Sequence, residues 1–374
     1  MNKDQIAFNI KLQEELRNSN VRACIRGGLE KQGCSGKIIA AHSIQRGKIL
    51  AAMADVGEVY YLGLTPAEDL KGMKTEFKRK GIKKFSTFNG FCGHHDKKIF
   101  QPIEDAEFTG ANLQMSIYAY RAAARELHQA LEEKKLCEYV LGDKLEDDDF
   151  PVHYQMHLPK ILRGEYVVPP FIKDAMISGE KNHRIRLRHK NSQHNITELQ
   201  AICDDLTREI EGEQASGFEH RYRCMEQEYP VACCVTFIPY FDHRAIRVIS
   251  RPEEIKLALA PAVSVPEMKN VLLNVFPEGG KTHVIFTFSK GNASFKKAVE
   301  RMLGLGEIEF KVALSNFILN YSENTAFSPL YIEGGFSDKQ RAKIISIFSR
   351  NISNVVSFAK GDLNLFADDA SASV

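Results

Sequence analysis

Apolar positions take helical spacing near both ends of the chain and strand-like runs in between. Ile6, Ala7, Ile10, Leu12 and Leu16 predict a helix over residues 4–18. Residues 37–41 read as a strand ending at His42, and residues 58–62 as a second strand. From 105 to 135, Leu113, Ile117, Tyr120, Ala124, Leu127 and Leu131 recur at the spacing of an amphipathic helix. Acidic residues 146–149 then mark a loop. Ile196, Leu199, Cys203, Leu206 and Ile210 keep a 3-4-3-4 spacing, read as a helix packed on its own domain rather than a coiled coil. Past Pro230 the pattern turns β-rich at 231–239, 245–249 and 283–288, followed by helical patterns over Ala293–Leu303, Glu307–Tyr321 and 338–350. The expected fold class is α+β in three consecutive regions: 1–104 around a Cys/His cluster, 105–229 helical and connecting, and 230–374 an α+β domain of unknown role. The last dozen residues should fray.

Composition narrows the function classes only a little. A chain of 374 residues with 44% hydrophobic and 26% charged positions can bury a sizeable core. Lys plus Arg (50) nearly balances Asp plus Glu (48), so a case for nucleic acid must rest on local clusters. There is no apolar run of about 18 residues to cross a membrane and no secretory signal pattern at the N-terminus. Eight cysteines without an export signal point to reduced thiols or metal ligands, and to the cytoplasm.

The chemistry concentrates in a short stretch. Cys24 and Cys34 flank a loop with Gly27, Gly28, Gly33 and Gly36, which could bring two sulfurs to one ion. Cys92 and His95, two residues apart, supply the other half of a Cys3His set, one of the usual structural zinc sites. The alternative is that these cysteines are simply buried apolar residues. For Cys137, Cys203, Cys224, Cys233 and Cys234 that plainer reading is preferred.

With Cys24, Cys34, the Ala41-His42-Ser43-Ile44 run and Cys92-Gly93-His94-His95-Asp96 in view, residues 20–104 resemble the HNH (ββα-metal) nucleases. The resemblance implies a zinc-braced ββα unit in the N-terminal quarter, with His42 as general base and His95 in place of a knuckle cysteine. Asp96, with His94 as the alternative, would hold a catalytic Mg2+ or Mn2+. Asn89 stands for the family's middle asparagine, although it falls closer to the knuckle than is usual. The residue types suit the reaction: a near-neutral histidine can take water's proton, and a hard cation prefers oxygen ligands. Asp96 could instead cap the helix that follows.

Between the two halves of the cluster, Lys71, Lys74, Lys78, Arg79, Lys80, Lys83 and Lys84 place seven positive charges in fourteen residues. They read either as a phosphate-contacting segment or as a solvated loop or helix face. A second run, 181–190, could be a basic strand with Arg184, Arg186 and Arg188 on one face, or part of a long helix. Residues 277–282 (Pro-Glu-Gly-Gly-Lys-Thr) lack the first glycine of a phosphate loop and read as a hairpin turn. Residues 320–324 read as a helix end and turn.

Taken together, these features lead to the expectation of a metal-dependent endonuclease acting on nucleic acid, DNA rather than RNA, with structural zinc and catalytic Mg2+ or Mn2+. Its helical and C-terminal regions could bind a protein partner or a second copy, with no membrane involved. Such a build resembles prokaryotic defence or mobile-element components, an association and no more. The alternatives are a non-catalytic zinc-binding module in a nucleic-acid- or protein-binding protein, and a sensor whose C-terminal half gates the first domain.

Overall fold

The computed structural model describes residues 10, 13–26, 33–66, 73–146, 152–213, 215, 217–253, 269–353 and 358–367. Of the expected N-terminal helix, residues 13–19 are helical, and most of the rest lies outside the described residues, as do Gly27, Gly28, Lys71 and acidic residues 147–149. The first strands are β1 (Ile38–His42), β2 (Glu58–Pro66), β3 (Met73–Gly81) and β4 (Thr87–Cys92), and β4 runs straight into α1 (Gly93–Glu104). β1 pairs antiparallel with β4, setting Ile38 opposite Cys92 and His42 opposite Thr87, with a bulge between Ile39 and Ala41. The helix starts where it does because Cys92 keeps extended dihedrals while its Sγ accepts from the His95 amide at 3.5 Å. Cys92 is therefore the cap, and Asp96 lies within the first turn. The buried face of α1, His95, Ile99, Phe100 and Ile103, follows helical spacing. Phe91 of β4 meets Phe100 edge-on at 5.3 Å.

α2 (Asn112–Leu141), α3 (Val152–Leu162) and α4 (Pro170–Ile210) make up the middle of the chain. The chain divides into two compact units, and α2 and α4 contribute to both. The smaller unit comprises Met1–Val21, Leu127–Glu198 and Ala260–Pro266. Within it Leu158, Ile161 and Met176 form a small core, with Val168 packed against it. His128 Nε2 donates to the Val21 carbonyl at 2.9 Å, and Lys135 Nζ to that of Asn20 at 2.8 Å. Basic run 181–190 is helical rather than a strand. Three of its side chains meet carboxylates, Arg184 with Glu180, Arg188 with Glu133 at 2.8 Å and His189 with Glu138 at 3.3 Å, while Arg186 Nη1 donates to the Lys144 carbonyl at 3.1 Å.

The larger unit, Arg22–Glu126, Leu199–Leu259 and Glu267–Val374, adds β5 (Phe218–Met225), β6 (Val231–Phe237), β7 (Val271–Glu278), β8 (Lys281–Ser289), β9 (Thr325–Phe327) and helices α5 (Ala293–Leu303), α6 (Glu307–Tyr321), α7 (Pro329–Gly335) and α8 (Asp338–Ser353). An antiparallel seven-stranded sheet runs in the order β3-β2-β9-β6-β7-β8-β5. The hairpin β2–β3, inserted between β1 and β4, thus extends a sheet built mostly from the C-terminal half, and the sheet crosses the linear boundary at 104. Every residue of β6 is buried, as are most of β7 and β8. Such unbroken apolar strands need cover on both faces. Phe295, Phe310, Leu314, Phe317 and Ile344 join the core on one side. On the other, Tyr118 of α2 stacks on Phe276 at 4.5 Å, and Asn274 Nδ2 donates to the Tyr118 carbonyl at 3.3 Å. Truncating a fully buried ring such as Phe286 should cost about 3–5 kcal/mol.

Residues 277–282 form the expected hairpin, with Glu278 opposite Lys281 and Gly279 and Gly280 at φ +64° and +76°. Residues 245–249 do not form a strand; a single bridge joins Phe241 and Arg247. Basic segment 74–84 is neither helix nor loop throughout: residues 73–81 are edge strand β3, and only 82–84 lie on the turn into β4. On α6, the amides of Asn316 and Asn320 each bond the N–H and C=O of one residue in the closing segment, Gly361 and Ala359, which explains asparagines on a buried helix. No helix among the described residues is long and apolar enough to cross a membrane.

Candidate metal centre and the adjoining histidine

Cys24 comes to Cys92 because residues 23–25 run beside β4: the Ala23 amide donates to the Asn89 carbonyl at 3.3 Å and that of Ile25 to Gly90 at 2.8 Å. The second cysteine arrives through a turn in which Gly33 sits at φ +81°, beside the His94 ring, and a Cβ there would meet Nε2 at 3.3 Å. The outcome is a set of four ligand atoms, from Cys24, Cys34, Cys92 and His95, all within 4.8 Å of one another. His95 Nδ1 lies 3.3 Å from Cys24 Sγ and 3.4 Å from Cys92 Sγ. Ligands around a tetrahedral zinc are spaced about 3.5–3.8 Å apart, so the cluster is nearly of that size already. These four residues can hold a metal ion.

Thiol electrostatics fit that use. Burial pushes the Cys24 thiol up to about 11, with the neighbouring Cys92 and Cys34 sulfurs adding to the shift. At Cys92 burial acts the same way, but donors from the His95 and Ser35 amides, the Ser35 hydroxyl and the Cys34 thiol outweigh it and bring the group down to about 6. Crowded sulfurs cannot all ionise on their own, and a divalent cation removes that conflict.

His42 ends β1, half-buried, and its Nε2–H donates to the Ile82 carbonyl at 3.0 Å, which leaves the lone pair on Nδ1. Burial lowers its pKa below 6.5, the Ile82 carbonyl opposes the shift, and the charges of Arg46 and Arg121 add to it. Asp96 is half-buried, and its carboxylate makes no hydrogen bond or ion pair with a described residue; burial raises its pKa, and Arg121 opposes. Both groups thus feel Arg121 and Glu104. Arg121 is 1% exposed, lies 4.0 Å over the Phe100 ring and donates from Nη2 to Glu104 at 2.6 Å, while its Nε and Nη1 have no hydrogen-bond partner among the described residues. His94 is exposed and outside the four-atom cluster, and Asn89 is half-buried on β4, with its carbonyl engaged by Ala23.

The expected basic residues divide by partner. Lys74 lies 3.7 Å from Glu76, Lys78 Nζ donates to the Leu64 carbonyl at 2.8 Å, and Arg79 is held by Asp55 at 2.8 Å and Glu333 at 3.0 Å. Lys80 lies 5.8 Å over the Tyr61 ring. Lys83 and Lys84 are exposed, form no ion pair among the described residues, and directly follow Ile82, whose carbonyl holds His42. Sequence reasoning passed over Arg121, Ile82 and Ser86, and read Asn324 only as part of a helix end and turn. Of these only Arg121 leaves a sequence signal, a lone charge in the apolar run 115–124. No family model, curated protein or solved structure matches the chain.

Proposed function

We propose that residues 20–104 hold a zinc-braced unit of the HNH kind and that the chain hydrolyses phosphodiester bonds in nucleic acid, with DNA as the expected target. One observation carries the reading: a histidine whose Nδ1 has no partner among the described residues ends a strand whose antiparallel partner leads through a Cys-x-x-His pair into a helix bearing a carboxylate likewise without a described partner. Zinc would sit on Cys24, Cys34, Cys92 and His95, three soft thiolates and an imidazole. A Mg2+ or Mn2+ ion on Asp96 would supply charge compensation at the scissile phosphate and the leaving oxygen. His42 Nδ1 accepts the proton of the attacking water; burial keeps the ring neutral, and the Ile82 carbonyl keeps the other nitrogen protonated. Lys83 and Lys84, which follow Ile82 in the same turn and form no ion pair among the described residues, supply cations for the substrate backbone.

The test is plasmid nicking with Mg2+ or Mn2+ by wild-type protein and by His42→Ala, with zinc measured on both. Cleavage by the wild type, its loss in the variant and equal zinc in both support the proposal. Zinc lost from the variant, or cleavage retained, moves the reading to a non-catalytic zinc module. That second reading draws on one observation: His42 is already hydrogen-bonded within the fold, as a structural histidine would be.

A further inference from the structure

We propose that Asn324 is a positioning residue for His42, acting through Ser43, so that the seven-stranded sheet forms part of the machinery. The proposal rests on the reading of His42 as the base. Asn324 is 3% exposed and sits immediately before β9. Its backbone carbonyl accepts from the Cys234 amide at 3.3 Å, and its Nδ2 donates to the Cys234 carbonyl at 2.8 Å, which fixes the side-chain amide against β6. Nδ2 also donates to Ser43 Oγ at 3.0 Å. Ser43, next in sequence to His42, is itself 3% exposed.

The receiving segment is clasped on its other side by the turn before β4. The Ser43 amide and hydroxyl both donate to the Ser86 carbonyl, at 2.8 and 3.2 Å, and the Ile44 amide donates to Ser86 Oγ at 3.1 Å. Ser86 holds φ +57°, a conformation that a non-glycine residue keeps only where its surroundings impose it. The same turn carries the Ile82 carbonyl that accepts from His42 Nε2. A serine hydroxyl has one hydrogen to give. With Asn324 donating to its oxygen, Ser43 turns that hydrogen toward Ser86 and closes the segment onto the turn. Asn324 is thus the sheet's hold on the strand end that aims the histidine. A helix end and turn, as read from residues 320–324, is also present, with Ser322 as the C-cap of α6. The long-range bond goes beyond that local role.

The test uses full-length, metal-loaded Asn324→Ala, Ser43→Ala and the double variant. It reads kcat and KM for nicking, metal content, melting temperature and the His42 tautomer by imidazole 15N NMR. Asn324→Ala should lower kcat about ten- to hundredfold at little-changed KM, as for a misaimed catalytic group. Its His42 signal should pass from the Nε2–H form to a tautomer mixture. Ser43→Ala should do the same and the double variant no worse, because the two residues act in series. Wild-type kcat and tautomer in Asn324→Ala, or single effects that multiply in the double variant, overturn the proposal. Should Asn324→Ala fail to fold, Ser43→Ala decides, since it leaves the Asn324–Cys234 pairing in place; an unchanged tautomer there overturns the proposal equally. His42→Ala that still cuts would remove the base reading alone, and the tautomer result would still report whether Asn324 sets the ring.

Discussion

The four-residue cluster and the His42–Asp96 pair draw on the same strand–helix unit, the cluster through Cys92 and His95 with Cys24 and Cys34 from the preceding loop and the pair through the end of β1 and the first turn of α1, yet their valences differ. In the cluster every ligand atom lies within 4.8 Å of the others, and His95 Nδ1 is close to two sulfurs. In the pair each group keeps a position unused among the described residues: Nδ1 of His42 and the carboxylate of Asp96. A closed set of soft ligands suits a metal that holds the chain together, whereas a catalytic site keeps a position open for water or substrate. Under the proposed function the first set braces the chain and the second carries the reaction.

Breaking the closed set should have the largest effect. Cys92 lies in the cluster and also caps α1, so Cys92→Ser should lose most of the metal, about one ion per chain in the wild type, and destabilise the strand–strand–helix unit by several kcal/mol. Elemental analysis and chemical denaturation check this; full metal content with unchanged stability would dissolve the contrast. Breaking the open pair should spare stability. Asp96→Asn keeps shape but removes charge, so cleavage should fall on the order of 10²-fold or more at fixed Mg2+, with zinc and melting temperature unchanged. Loss of zinc in this variant would place Asp96 in the bracing set instead.

The closed set was the more legible of the two in the sequence, because ligand identity and spacing are local properties. The strand ending at His42 and helices α5 and α6 followed from apolar periodicity, with the latter two agreeing at both ends. Strand β3 was obscured because Lys74, Lys78, Arg79 and Lys80 mask its pattern; only Phe77, packed on Phe327 at 5.9 Å, marks its inner face. An edge strand carries such charges at little cost and gains protection from further pairing. The open pair's setting was illegible for another reason. Asn324 lies 281 positions from Ser43, and nothing in local spacing links them.

Acidity should act through the buried histidines, of which His42 alone belongs to the open pair. Burial holds the His220 pKa down to about 4, and His42, His243 and His283 are lowered for the same main reason. A histidine with a depressed folded pKa adds stability that is complete above about 6.5, its unfolded value, and is lost as pH falls toward the folded one. For His220 the loss should amount to roughly 3 kcal/mol between pH 6.5 and 4. Melting temperature should therefore drop across that window and drop less in His220→Gln. The acid limb of cleavage, governed by neutral His42, should lie below pH 6.5 while the protein is still folded. An acid limb above 6.5 would contradict a buried, neutral base.

The smallest expected effect concerns the surroundings of the open pair. Lys83 and Lys84 form no ion pair among the described residues and directly follow the residue that holds His42, whereas Arg184 and Arg188 of the second basic run are met by Glu180 and Glu133. Only the unpaired cations can neutralise phosphates without first giving up a carboxylate. Changing Lys80, Lys83 and Lys84 together to Gln should weaken nucleic-acid binding alike for all sequences. It should also flatten the slope of log K against log salt by about 0.9 for each phosphate contact removed. Changing Arg184 and Arg188 to Gln should leave that slope where it was and cost at most about 1 kcal/mol of stability, as expected for exposed pairs. Fluorescence anisotropy across a salt series decides between the two runs. If the slope responds to Arg184 and Arg188 and not to the three lysines, nucleic acid lies along α4, and the open pair loses its electrostatic support.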